Sequence, residues 1–221
     1  MTSEGPVSAE SDVHARERSQ EAVRPAPRPV WVHSAFAFTL LFTAIHVYWA
    51  VGGTWGLPLA VMQAQAQATT KAANAVVSVI MVIGAVWVLA LNHPVGRRIP
   101  AFVLLAPLWA GAVVCVSHAV FGFATKILYL NGRHGAVDFP VVPGVDAATA
   151  ADSNRLSALQ DILVFEPCFL IQGVLLALAA RQFIRTPAGR RTWSVSVIVG
   201  IAVIDVFGAV LSFGDMHFAI S

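Results

Sequence analysis

Four ionisable residues lie inside long apolar stretches of this chain: His46, His118, Glu166 and Asp205. A charged side chain at the centre of a membrane helix costs about 2.5–3.5 kcal/mol on insertion scales, so each calls for a partner or a task. Imidazole and carboxyl groups can hold and pass a proton, or work as a general acid/base pair. Two histidines at equal depth on different helices can ligate a haem from opposite sides. His46, His118, Glu166 and His217 could together hold zinc or copper, although no HExxH or CxxC spacing supports such a site. Trp49 follows His46 by three residues, shares its helical face and is expected to line whatever that face encloses. Each group also has a plain structural reading, as a neutral hydrogen-bonded side chain that fixes helix pairing.

The elements that carry these residues follow from composition. The chain has 221 residues, of which 57% are apolar and only 12% charged, with a mean hydropathy of +0.72. That is too few charges for an ordinary soluble surface. The apolar residues gather into five blocks of about the length that a bilayer core of roughly 30 Å requires. These are residues 31–51, 73–91, 101–123, 160–180 and 193–213. In lipid each must be helical, because no water is present to satisfy backbone polar groups. The expected fold is all-α, a polytopic transmembrane bundle of five spans over residues 31–221. Its outer connections are residues 52–72 and 124–159.

Ten of the fourteen basic residues fall on one side of such a threading: Arg16, Arg18, Arg24, Arg28, Arg97, Arg98, Arg181, Arg185, Arg190 and Arg191. The positive-inside rule then places the N-terminus in the cytoplasm, the C-terminus outside, and the chain in the cell membrane as a multi-pass protein. Residues 1–30 are polar and Pro-rich, and read as a disordered cytoplasmic tail. The first apolar block is too long and lacks a small-residue cleavage site, so it reads as a retained span and not a signal peptide. Cys115 and Cys168 lie inside spans without a CxxC pair, and read as packing residues. The small net charge of +2 gives no reason to expect nucleic acid.

Depth connects the ionisable groups. His46 and His118 each precede the outer end of their block by five residues, and Glu166 follows the outer start of its block by six. At 1.5 Å per residue all three lie roughly 7–9 Å below the outer boundary. Helices of opposite direction thus place His46, His118 and Glu166 in one layer, which the 124–159 connection would cover. Asp205 lies deeper. Its face continues through Gly208 and Ser212 to Asp215, with His217 at the mouth. Pro167 should kink the helix beside Glu166 and free a carbonyl one turn earlier. Ser153 or Asn154 could cap a helix leading into the fourth span. Trp31, Trp55 and Trp193 lie near span ends and suit an aromatic belt.

The run HVYWAVGGTWG, residues 46–56, followed by a Gln-containing segment, resembles the signature of bacterial membrane proteins grouped as domain-of-unknown-function 3995. The segment DILVFEPCFLIQGVLLALAARQF is similar to a later helix of that family, where an acidic-proline pair precedes an aromatic and a glycine. The resemblance implies a small integral membrane bundle with a four-span core and no established activity. It names no substrate and no cofactor.

Three functions fit these residues. The favoured one is a binding or transport bundle that admits protons, or a small polar or amphipathic ligand, into the His/Glu layer, with two copies assembling if alternating access is required. Its candidate ligand-binding residues are His46, Trp49, His118, Glu166 and Asp205. A membrane scaffold, in which the same residues fix helix pairing or partner choice, is the second. An intramembrane enzyme, or a haem- or metal-binding protein using His46, His118 and Glu166, is the third.

Overall fold

The computed structural model describes residues 30–213, and among these every regular element is helical. Six α-helices follow one another: α1 Val30–Ala50, α2 Ala64–Ala90, α3 Ala101–Leu130, α4 Ala147–Gln160, α5 Glu166–Phe183 and α6 Pro187–Phe213. Short 3-10 turns at Leu59–Met62, Pro94–Arg98 and His134–Ala136 join them. A π-helical turn, Asp161–Phe165, fuses α4 and α5 into one 37-residue rod. Five helices are therefore long and apolar enough to cross a membrane: α1, α2, α3, α4–α5 and α6. The expected tail, residues 1–30, lies outside the described residues apart from Val30, as do Asp215 and His217.

The helices extend past the apolar blocks at one end of the bundle. α2 begins at Ala64, so the Gln65 and Gln67 segment is helix, preceded by the 3-10 turn. α3 continues to Leu130, which puts Lys126 on a helix instead of in a connecting loop. The helix leading to the fourth span begins at Ala147, and its cap is Asp146, where the sequence suggested Ser153 or Asn154. The Asp146 carboxylate accepts from the Thr149 amide at 2.9 Å, satisfying one of the otherwise unpaired N–H groups of the first turn. Ser153 serves a different end: its Oγ accepts from the Leu59 amide at 3.2 Å and ties the first connection to α4.

The run HVYWAVGGTWG ends α1 by a Schellman cap. Gly52 has φ +105°, the Gly53 amide donates to the Tyr48 carbonyl at 2.9 Å, and the Gly52 amide to that of Trp49 at 3.0 Å. Only glycine takes the left-handed position here without strain. The chain then turns back so that Trp55 packs on Phe165.

Between helices, small residues permit close approach. A Cβ on Gly173 of α5 would stand 2.9 Å from the Ala112 carbonyl oxygen and 2.6 Å from a Val116 methyl on α3. That contact seats α5 tightly on α3, as expected where packing, not hydrophobic exclusion, holds spans together. Val32, Leu104, Leu108, Val113, Leu176 and Val197 belong to one buried core toward the opposite end. Trp193 belongs there as well. It is buried and its Nε1–H donates to the Ala177 carbonyl at 3.1 Å, which overturns its reading as a belt residue; Trp31 and Trp55 are exposed. Cys115 and Cys168 are free thiols.

Candidate functional site

The π turn before Glu166 sets the site. Pro167 has no N–H, so an α-helical bond from residue 167 to the Leu163 carbonyl cannot form. The chain widens by one residue instead, and the Glu166 amide donates to the Asp161 carbonyl five residues back. Asp161 and Glu166, which an ideal α-helix would splay apart, are thereby brought onto one face. Both reach α3, where His118, Gly122 and Lys126 follow one another at four-residue spacing on a single ridge.

Lys126 holds the centre. Its Nζ donates to Glu166 Oε1 at 2.5 Å and lies 3.0 Å from Asp161 Oδ2. Glu166 is fully buried, with no measurable exposure, whereas Lys126 and Asp161 are 17% and 23% exposed. The second oxygen, Glu166 Oε2, is buried without a hydrogen bond and lies 3.7 Å from His118 Nε2. The His118 side chain is 51% exposed, so it lies between the buried carboxyl and the surface of the helix bundle. Gly122 makes the arrangement possible. Its Cα lies against the Glu166 carboxyl, and a Cβ there would overlap both carboxyl oxygens.

His46 and Trp49 form a neighbouring but separate cluster. His46 is buried, and its Nδ1 is 2.8 Å from Asn74 Oδ1 on α2. Asn74 Nδ2 is committed to the Thr70 carbonyl at 2.8 Å, so its Oδ1 must accept and His46 Nδ1 must donate. In the neutral ring Nε2 is then a bare acceptor, and it is buried without a partner. Trp49 packs edge-on against His46 with centroids 5.4 Å apart, and its Nε1–H donates to the Trp55 carbonyl at 2.8 Å.

The structure thus brings His118 to Glu166 but not to His46. A row of rings links them: His46 to Phe42 at 5.1 Å, Phe42 to Phe169 at 4.9 Å, and Phe169 to His118 at 3.9 Å. Those rings occupy the space that a planar cofactor ligated by both histidines would need, so the residues present do not fit a haem bridging His46 and His118. The pairing of His46 with Glu166 as acid and base is not formed either, since their partners are Asn74 and Lys126. Among the described residues no three His, Cys, Asp or Glu side chains gather as a metal site. Asp205 sits on α6, away from the Lys126 cluster, with its Oδ1 buried and without a hydrogen bond.

Sequence reasoning missed Lys126, Asp161, Asn74 and Gly122. The apolar block ends at Phe123, which leaves Lys126 in the outer connection, yet its spacing of eight from His118 is a legible helical signal. Asn74 could have been found as a polar residue just inside the second block. The pairing of Asp161 with Glu166 was not legible, because it depends on the π turn. An apolar groove of about 570 Å³ also opens between α1 and α5, lined by Phe38, Leu41, Phe42, Ile45, Tyr48 and Cys168. It is separate from the charged cluster and carries almost no polar surface.

Comparison with known proteins places residues 39–176 within a family described as "Protein of unknown function (DUF3995)". The chain belongs to this family. The match begins inside α1 and ends inside α5, so it takes in four of the five long apolar helices and leaves α6 outside. It includes His46, Asn74, His118, Lys126, Asp161 and Glu166. No curated protein and no solved structure matches.

Proposed function

We propose that this DUF3995 protein is a proton-binding bundle of the cell membrane that takes up and passes protons through the Lys126 cluster near its outer face. The supporting observation is the charge balance around Glu166. Two carboxylates, Asp161 and Glu166, share one ammonium, Lys126, while Glu166 Oε2 lacks any hydrogen bond and faces His118 Nε2. With both acids ionised and His118 neutral, the cluster carries one net negative charge in a poorly solvated position. Burying an uncompensated charge costs several kcal/mol, about 3–5 when a partner is missing. One proton on His118 or on Glu166 removes that cost and supplies the donor Oε2 lacks. His118, half-exposed, is the exchange point with the exterior, and Lys126 holds whichever carboxylate remains charged.

The basic residues set the direction: Arg97, Arg98 and the Arg181–Arg191 group occupy the opposite end of the bundle, which the positive-inside rule assigns to the cytoplasm. The test is proton flux in proteoliposomes carrying an internal pH-sensitive dye. Wild-type protein should dissipate an imposed pH gradient, and Glu166→Gln and His118→Gln should abolish that flux while inserting at normal yield. Equal flux in wild type and Glu166→Gln defeats the proposal.

A scaffold reading is favoured by other observations. His46–Asn74 joins α1 to α2, and Thr39 with Gln172 joins α1 to α5 by a buried bond of 2.8 Å. If the Lys126 cluster is only a further clasp of this kind, Glu166→Gln should lower folded yield and leave no flux to lose.

A further inference from the structure

The end of the bundle opposite the Lys126 cluster gathers six arginines. Arg97 and Arg98 close the 3-10 turn between α2 and α3, and Arg181, Arg185, Arg190 and Arg191 flank the turn between α5 and α6. Both turns border one core, on which Ile99 of the first and Ile184 of the second pack with Leu91 and Trp193. Neither residues 91–100 nor residues 181–192 include Asp or Glu. The next acid along α6 is Asp205, fourteen residues past Arg191 and so about 21 Å away. At the other end Lys71, Lys126, Arg133 and Arg155 are matched by Asp138, Asp146, Asp152 and Asp161. Five of the six arginines are exposed, and among the described residues none of the six makes an ion pair. Arg190 is half-buried and held in place. Its Nε donates to the Ile184 carbonyl at 2.7 Å, and its two terminal NH2 groups have no acceptor among the described residues.

We infer that this arginine face binds the phosphate groups of anionic membrane phospholipids. A guanidinium presents a planar fork that matches two phosphate oxygens, and Arg190 is already fixed with that edge free. α3 begins three residues after Arg98 without a side-chain cap, so its first amides add partial positive charge at the same end. The apolar surface beside the arginines selects a lipid over an acidic protein segment. On α6, Arg191 shares a stripe with Val195 and Ile198, which are 50% and 64% exposed. On α5, Arg181 shares one with Val174 and Leu170, which are 43% and 37% exposed. α5 runs toward this end and α6 away from it, so in both stripes the apolar residues lie on the membrane side of the arginine. A headgroup on the arginines thus continues into acyl chains on the stripes. No residue of this face belongs to the Lys126 cluster, so the inference does not rest on proton passage.

The test is thermal unfolding of the detergent-purified full chain against added dioleoyl phosphatidylglycerol, dioleoyl phosphatidylcholine or inorganic phosphate. Phosphatidylglycerol should raise the unfolding temperature at a lower half-saturating concentration than phosphatidylcholine. Arg97→Gln/Arg98→Gln and Arg185→Gln/Arg191→Gln should each shrink that preference, by about fivefold for each arginine removed. Glu166→Gln should keep it, whatever that variant does to proton flux. Equal half-saturation for the two lipids in wild type overturns the inference without any variant, so a poorly folding double substitution leaves it testable. A preference that survives in both folded double variants also overturns it. Inorganic phosphate acting as strongly as phosphatidylglycerol would mark a free-anion site and overturn the assignment to lipid.

Discussion

Removing the Lys126 ammonium is the most informative single change to this protein. Lys126→Met keeps the length and apolar stem of the side chain and deletes the cation that Glu166 and Asp161 share at 2.5 and 3.0 Å. Breaking a buried ion pair from one side costs about 3–5 kcal/mol, because the remaining charge is stranded. The upper part of that range applies to Glu166, which is fully buried; Asp161 is about a quarter exposed and adds little. Above neutral pH the variant should therefore lose about 3–5 kcal/mol of stability. At acidic pH, protonation of the stranded carboxyl leaves only a neutral group short of partners, and the loss should shrink to about 1–3 kcal/mol. Lys126→Met combined with Glu166→Gln should recover most of the loss, since no buried charge is left. Denaturant titration of the four proteins of this double-mutant cycle in detergent, at two pH values, measures each quantity. A loss below about 1 kcal/mol at high pH, without recovery in the double variant, would show a solvated pair and refute the charge balance on which the proton reading depends.

Other outcomes follow from the same geometry. Gly122→Ala should displace the Glu166 carboxyl and mimic Glu166→Gln in the flux assay, whereas Gly84→Ala on α2, where a Cβ meets nothing within 4 Å, should leave it unchanged. Asn74→Leu removes the acceptor that fixes the His46 ring, so nitrogen NMR should find His46 no longer held with its proton on Nδ1; an unchanged tautomer would mean another group sets it. The Asp146 carboxyl is held below the usual carboxylate range by the Thr149 hydroxyl and then the Thr149 amide. Its capping contribution is therefore complete above the carboxylate's unfolded-state pKa and is lost as pH falls through the lower folded value. Protection of the Thr149 amide, its exchange measured against the intrinsic rate at each pH, should fall over that acidic range in wild type and be low at every pH in Asp146→Ala.

What the sequence determined by itself is the set of spanning segments and the approximate depth of the polar groups. Twenty-residue apolar blocks have one stable backbone form in lipid, and a fixed rise per residue converts position into depth. The helix-ending role of Gly52 and Gly53 was equally legible, because a glycine pair after an apolar run suits the left-handed cap that α1 uses. Tertiary structure alone decided which polar groups meet. Equal depth does not give contact: the phase of α1 turns His46 toward Asn74, while that of α3 turns His118 toward Glu166. The π turn shifts α4 by one residue against α5, enough to bring Asp161 onto Lys126, and no periodicity in the apolar pattern encodes that shift. The register of α6 on α3 was hidden for the same reason. It rests on where Gly200 and Gly208 meet Val113 and Phe121, contacts between two helices far apart in the sequence.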